Sequence, residues 1–202
     1  LSRKPSGAHT AELATLALLR LGSSDPQAAA AQLNDRWQSQ LPGPLAALAW
    51  AGTAKQAAQK LMPEAGGYYQ RAWSLRSGLT AAQLDTAPWS DDMLGWQVRA
   101  ALRFDGPDAP RWALISAAQQ AMSADEQKDT TWIYWRARAL QGAAKDGPQG
   151  EADRLAARQM LESTSGQMNF YGKLAQEDLG GTVTLPAKTA AITGTEPATA
   201  PR

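Results

Sequence analysis

The chain contains no cysteine. Disulfides, thiolate nucleophiles and cysteine-ligated zinc sites are therefore excluded. The compartment is not fixed by that absence, because exported proteins can lack cysteine too. Only one histidine is present, His9, just before a helical run. A Ser-His-Asp triad would have to use it, and so would most transition-metal sites. A surface position near the terminus is the plainer reading, and neither a metal nor a cofactor is expected. Charge of one sign is also missing. There are 20 Lys and Arg against 19 Asp and Glu, a formal net charge of +1. A nucleic-acid partner would need a clustered basic face, so none is expected. No apolar run is long enough to span a bilayer. The opening LSRKPSGAHT lacks the apolar stretch of a secretory leader. The chain starts at Leu1, not Met, as a processed or trimmed piece would.

What the sequence does have is helical periodicity and tryptophan. Hydrophobic residues make up 44% of its 202 residues, and eight are Trp. AELATLALLRLG (11–22) has apolar residues at helical spacing and stops at Gly22. SSDPQAAAAQLNDRW (23–37) opens with Asp25 as N-cap and Pro26 at the first helical position. LPGPLAALAWAGTAKQAAQKLM (41–62) and MPEAGGYYQRAWSLRSG (62–78) repeat that device with Pro44 and Pro63. Further helices are predicted over 90–103, 109–122, 129–142, 147–163 and 168–181. No segment alternates β-branched residues with period two. The expected fold is all-α, with roughly nine or ten helices joined by short turns into antiparallel pairs. Residues 182–202 are Thr-, Ala- and Pro-rich without helical period, and read as a linker or an extended, docked tail.

One pattern recurs: an aromatic residue, two others, Arg, then Ala. It appears in YYQRA (68–72), WQVRA (96–100) and WRARA (135–139). On a helix, positions i and i+4 share a face, so each ring sits one turn from an alanine. A large residue beside a small one lets a neighbouring helix approach and interdigitate. The arginine at i+3 can lay its stem along the ring. This grammar predicts an αα-superhelix over residues 1–181, in which each helix pair buries itself against the next. The repeat is irregular, unlike a tetratricopeptide array with its period of about 34 residues. Trp132 and Trp135 are expected in the core, with Tyr134 off that face.

Four segments together resemble one known family. They are LMPEAGGYYQRAW (61–73), LGWQVRAALRFDGPDAPRWALISAAQQAM (94–122), TTWIYWRARALQ (130–141) and NFYGKLAQEDLGG (169–181). In order and context they resemble the superhelical scaffold of the soluble lytic murein transglycosylases, over about residues 10–181. The resemblance implies a curved helical frame preceding a smaller, lysozyme-like catalytic domain that is missing from this chain. It implies a periplasmic location and peptidoglycan glycan strands as partner. The family cleaves the β-1,4 bond between N-acetylmuramic acid and N-acetylglucosamine without water, leaving a 1,6-anhydro end. Its catalytic glutamate is followed by Ser and, shortly after, by a Gly-Leu-Met-Gln run. Here Glu162-Ser163 is followed by TSGQMNFYGKLA, so Glu162 is not expected to be catalytic, and no catalytic residue is assigned. Asp91-Asp92 after Ser90 reads as a helix start. Ser123 and Glu126 have capping-box spacing. Glu177-Asp178 lies in the helix before Gly180-Gly181.

Two functions fit these residues. In the first, the chain shapes the approach of a glycan strand to a catalytic domain, with Arg71, Arg99, Tyr134, Arg136 and Arg138 as substrate-binding candidates. Salt bridges between helix layers are the plainer reading of those arginines. In the second, a non-enzymatic helical-repeat module binds a protein or peptide partner. A polar groove with isolated aromatics favours the first, and an exposed apolar groove favours the second.

Overall fold

A computed structural model describes residues 8–104 and 111–183. Every regular element among the described residues is helical. α1 (Ala8–Ser24) and α2 (Pro26–Gln32) are followed by a π-helical turn (Leu33–Trp37) and the short α3 (Gln38–Gln40). Then come α4 (Gly43–Gln59), α5 (Ala65–Arg76), α6 (Ala81–Thr86), α7 (Asp91–Leu102) and α8 (Arg111–Ala121). A 3-10 turn (Glu126–Lys128) leads into α9 (Thr130–Ala143), α10 (Pro148–Ser165) and α11 (Phe170–Asp178). Of the expected tail over 182–202, all but Thr182 and Val183 lies outside the described residues.

The helix starts follow from side chains that satisfy orphan N–H groups. Asp25 Oδ1 accepts from the Ala28 amide at 2.9 Å and Asp129 Oδ1 from Thr131 at 2.8 Å. Ser90 Oγ accepts from Met93 at 3.3 Å. Losing such a cap costs about 1 kcal/mol. Three starts differ from expectation. The helix expected at Pro63 begins at Ala65, because Leu61 takes a left-handed φ of 57° and ends the preceding helix. The Ser123–Glu126 spacing gives half a capping box. The Glu126 amide reaches Ser123 Oγ at 3.3 Å, but Glu126 Oε1 turns away to accept from Trp132 Nε1 at 2.6 Å. The complete capping box is Thr80 with Gln83, and it starts α6, a helix absent from the predicted set.

α4 is the centre of the packing. Ala46, Ala47, Ala49, Ala51, Ala54, Ala57 and Ala58 are all buried along it. A helix that is apolar around its whole circumference is covered on every side, and α4 packs on α1, α2, α5 and α7. From α7 the contacts run in series, α7 on α8, α8 on α9, α9 on α10 and α10 on α11. One continuous cluster joins Ala11 in α1 to Ala139 in α9, and a second joins α9, α10 and α11 around Ala137, Ala157, Leu161 and Ala175.

Buried side chains stitch neighbouring helices together by donating to backbone carbonyls. Tyr69 OH of α5 donates to Met93 O of α7 at 2.8 Å. Gln97 Nε2 of α7 donates to Leu114 O of α8 at 2.7 Å, and Gln119 Nε2 of α8 donates to Trp132 O of α9. The π turn serves the same end. The Gln38 amide bonds five residues back to Leu33 O, which widens the helix by one residue. Leu33 and Trp37 both reach the core, and Gln38 Oε1 accepts from Trp50 Nε1 at 2.9 Å and Arg71 Nε at 2.8 Å.

Candidate functional site

α9 carries the segment richest in aromatics, and it is packed on two sides. Trp132 and Ala139 face α7 and α8, while Tyr134 and Ala137 face α10 and α11. Trp135 is half-buried and touches both clusters. Gly95 of α7 makes room for the Trp132 ring, which lies 3.1 Å from where a Cβ would stand. Tyr134 does lie off the Trp132 face, but it enters the second core. It meets Trp135 edge-on and Tyr171 at a tilt, at ring-centre distances of 5.2 and 5.5 Å.

The Tyr134 hydroxyl ends on a polar clamp. It donates to Asp178 Oδ2 at 3.0 Å, and Arg138 Nη1 donates to the same oxygen at 2.7 Å. Burial, together with the Asp178 carboxylate that accepts its proton, pushes the Tyr134 phenol up to about 12. The hydrogen bond to Asp178 likewise raises the Arg138 guanidinium above its ordinary value. A general acid for a glycoside needs a carboxyl with a proton to give. Asp178 Oδ2 is already engaged by two donors, the geometry of a clamp.

Beside this clamp lies an open cleft of about 450 Å³ between α9, α10 and α11, lined by Gln141, Arg154, Arg158, Leu161, Asp178 and Leu179. Arg154 and Arg158 are one turn apart on α10. Arg158 Nε is held by Glu162 at 2.9 Å with its side chain 66% exposed. Arg154 makes a long 3.5 Å bond to Lys145 O, which leaves most of its fork available. Such walls suit a ligand carrying hydroxyls, amides and carboxylates. Phe170, at the start of α11, is exposed and packs edge-on against Tyr171.

The sequence candidates separate in space. Arg138 and Tyr134 meet at Asp178. Arg71 is exposed and tied to Gln38. The Arg99 guanidinium lies between the Trp96 and Trp132 rings, 5.1 and 5.5 Å from their centres. Arg136 is exposed on α9. Of these four arginines, Arg138 alone makes a salt bridge between helices among the described residues; Arg71 bonds to an amide and Arg99 lies on two rings. Glu162 sits exposed near the end of α10 and pairs with Arg158. His9 is exposed and 3.6 Å from Glu12. Asp178, Arg154, Arg158 and Gln141 were not singled out as binding residues. The i, i+4 spacing of the two arginines in RLAAR was their only signal.

A second surface lies at the other end of the series. An apolar groove of about 410 Å³ runs between α1 and α2, lined by Ala14, Ala17, Leu18, Leu21, Ala28 and Ala31 among others. Leu13 and Leu16 on α1 are 66% and 61% exposed. Comparison with family models, with curated proteins and with solved structures finds no match to this chain.

Proposed function

We propose that this chain is the superhelical scaffold part of a periplasmic soluble lytic murein transglycosylase, and that it shapes the access of a peptidoglycan strand to a catalytic domain beyond it. The observation that carries this reading is the arginine-walled cleft between α9, α10 and α11. Two of its three walls, α9 and α11, belong to the segments that resemble the family. Its Gln141, Arg154 and Arg158 suit the hydroxyls, amides and stem-peptide carboxylates of a glycan–peptide polymer. The serial packing from α7 to α11 supports the superhelical reading for that part of the chain, since stacked helix pairs contact mainly their neighbours.

In this reading the chain performs no lysis itself; the parent activity belongs to the catalytic domain. The test is co-sedimentation with purified insoluble peptidoglycan at low and moderate salt. The chain is expected to be retained, and the double variant Arg154→Gln, Arg158→Gln is expected to be released at the lower salt. Absence of retention, or retention unchanged in the variant, refutes a glycan role for the cleft. Release of anhydro-muropeptides by this chain alone refutes the scaffold assignment. The apolar groove between α1 and α2 favours a second reading, a helical-repeat module for a protein or peptide partner.

A further inference from the structure

Arg76 closes α5, and neither candidate function uses it. Its guanidinium lies 4.7 Å from the centre of the Trp89 ring and 5.8 Å from that of Trp73, and the two indoles meet edge-on at 5.6 Å. These contacts cover the flat face of the guanidinium. Its N–H donors lie in the plane, at the edge. Burial lowers the Arg76 pKa from its ordinary value, and no carboxylate among the described residues offsets that effect. A second donor beside it is also unmatched. Trp89 Nε1 is buried without a hydrogen-bond partner among the described residues.

Arg76 also lines a cleft of about 330 Å³ between α5, α6 and α8. Trp73, Leu79, Leu84, Ala117 and Ala121 give it an apolar wall. Ser77 and Gln120 add polar groups, and Gln120 is exposed. Among the described residues Arg76 is the one charged side chain in that lining. A planar fork with a single positive charge matches a group with a single negative charge and two coplanar oxygens. That group is a carboxylate; a doubly charged phosphate would call for a second cation. The apolar wall of Trp73, Leu79 and Leu84 and the Gln120 amide fit an apolar side chain carried on a peptide bond.

We propose that this cleft binds the C-terminal carboxylate of a peptide with an apolar last residue, with the Arg76 edge as its anchor and Trp73 as its wall. The inference does not depend on the glycan reading, because cell-wall stem peptides and protein C-termini share this chemistry. It is tested by titrating the chain with acetyl-dialanine while following the indole N–H signals of Trp73 and Trp89 by NMR. Saturable shifts at both are expected, and the C-terminal amide of the same peptide is expected to leave them unmoved. Arg76→Gln should abolish the shifts, and Arg76→Lys should weaken binding roughly tenfold, since an ammonium cannot reproduce the fork. The L,L and D,D forms separate a protein C-terminus from a stem peptide. Absence of saturation with either form overturns the proposal. So does an equal response to the amide, or stronger competition by inorganic phosphate than by acetate. The amide comparison uses the unaltered chain, so it decides the matter even where an Arg76 variant fails to fold.

Discussion

Replacing Gln97 and Gln119 tests whether the buried stitches stabilise the fold or only orient it. Each glutamine is almost fully buried, at 0% and 3% exposure. Each donates one N–H to a backbone carbonyl of the next helix and leaves its Oε1 without a partner among the described residues. The accepting carbonyls, of Leu114 and Trp132, lie inside α8 and α9, where the helix ladder already supplies an amide. Removing the glutamine therefore orphans nothing on the far side. The bond itself contributes about 0.5–1.5 kcal/mol, while an unmatched buried oxygen costs about 1–3 kcal/mol. Methionine has a similar volume and no oxygen. Gln119→Met is thus expected to lie between neutral and about 2 kcal/mol more stable, and Gln97→Met likewise. Gln119→Ala leaves a cavity and should cost about 2 kcal/mol or more. Urea unfolding reads the difference as a shift in midpoint at constant slope. Destabilisation of both methionine variants by more than about 1.5 kcal/mol would refute this arithmetic. The Oε1 atoms would then be matched, by ordered water for example, and the glutamines would be true struts.

Two further outcomes follow from the same contacts. Tyr134 keeps its proton in the folded chain up to about 12, while an ordinary tyrosine releases it near 10. Its contribution to stability is therefore complete below about pH 10 and lost as the pH rises towards about 12. Tyr134→Phe should flatten the fall of the thermal midpoint over that window, and an unchanged fall refutes the clamp with Asp178. Gly142→Ala places a Cβ against the Trp112 indole ring. The overlap costs about 1–3 kcal/mol against a gain of about 1 kcal/mol in helix propensity. A net loss in thermal midpoint is expected, with a change in near-ultraviolet circular dichroism; a more stable variant would show that the ring yields freely.

Local chemistry was the most legible part of the sequence. Asp25 and Ser90 announced helix starts because an N-cap acts within three residues. α6 was missed, although Thr80 and Gln83 have capping-box spacing, because AAQLDT buries none of its residues and shows no apolar stripe. The π turn at Leu33–Trp37 was invisible for a different reason. It is set by what Trp37 and Gln38 meet in the folded chain, not by their neighbours in sequence. Tyr134 looked like a candidate for glycan contact because a periodic pattern marks one face of a helix, whereas α9 is buried on two. The signal for Arg76 was present and passed over. Trp73 and Arg76 repeat the aromatic–x–x–Arg spacing of the other three segments, but Ser77 stands where they have alanine. The cleft between α9, α10 and α11 joins residues far apart in the chain, so no local pattern could have assembled it.

The serial arrangement of helices has a mechanical consequence. From α7 to α11 a load passes through each seam in turn, so compliances add there, whereas before α7 it is shared among the contacts of α4 with α1, α2, α5 and α7. The side chains that donate across α5–α7, α7–α8 and α8–α9 occupy three consecutive seams in the middle. The end that holds the arginine-walled cleft is cross-linked too, because Tyr134 and Arg138 of α9 both donate to Asp178 of α11. A force on that cleft would therefore reach α7 through α9 and α8 alone, while at the α4 end it divides among several helices.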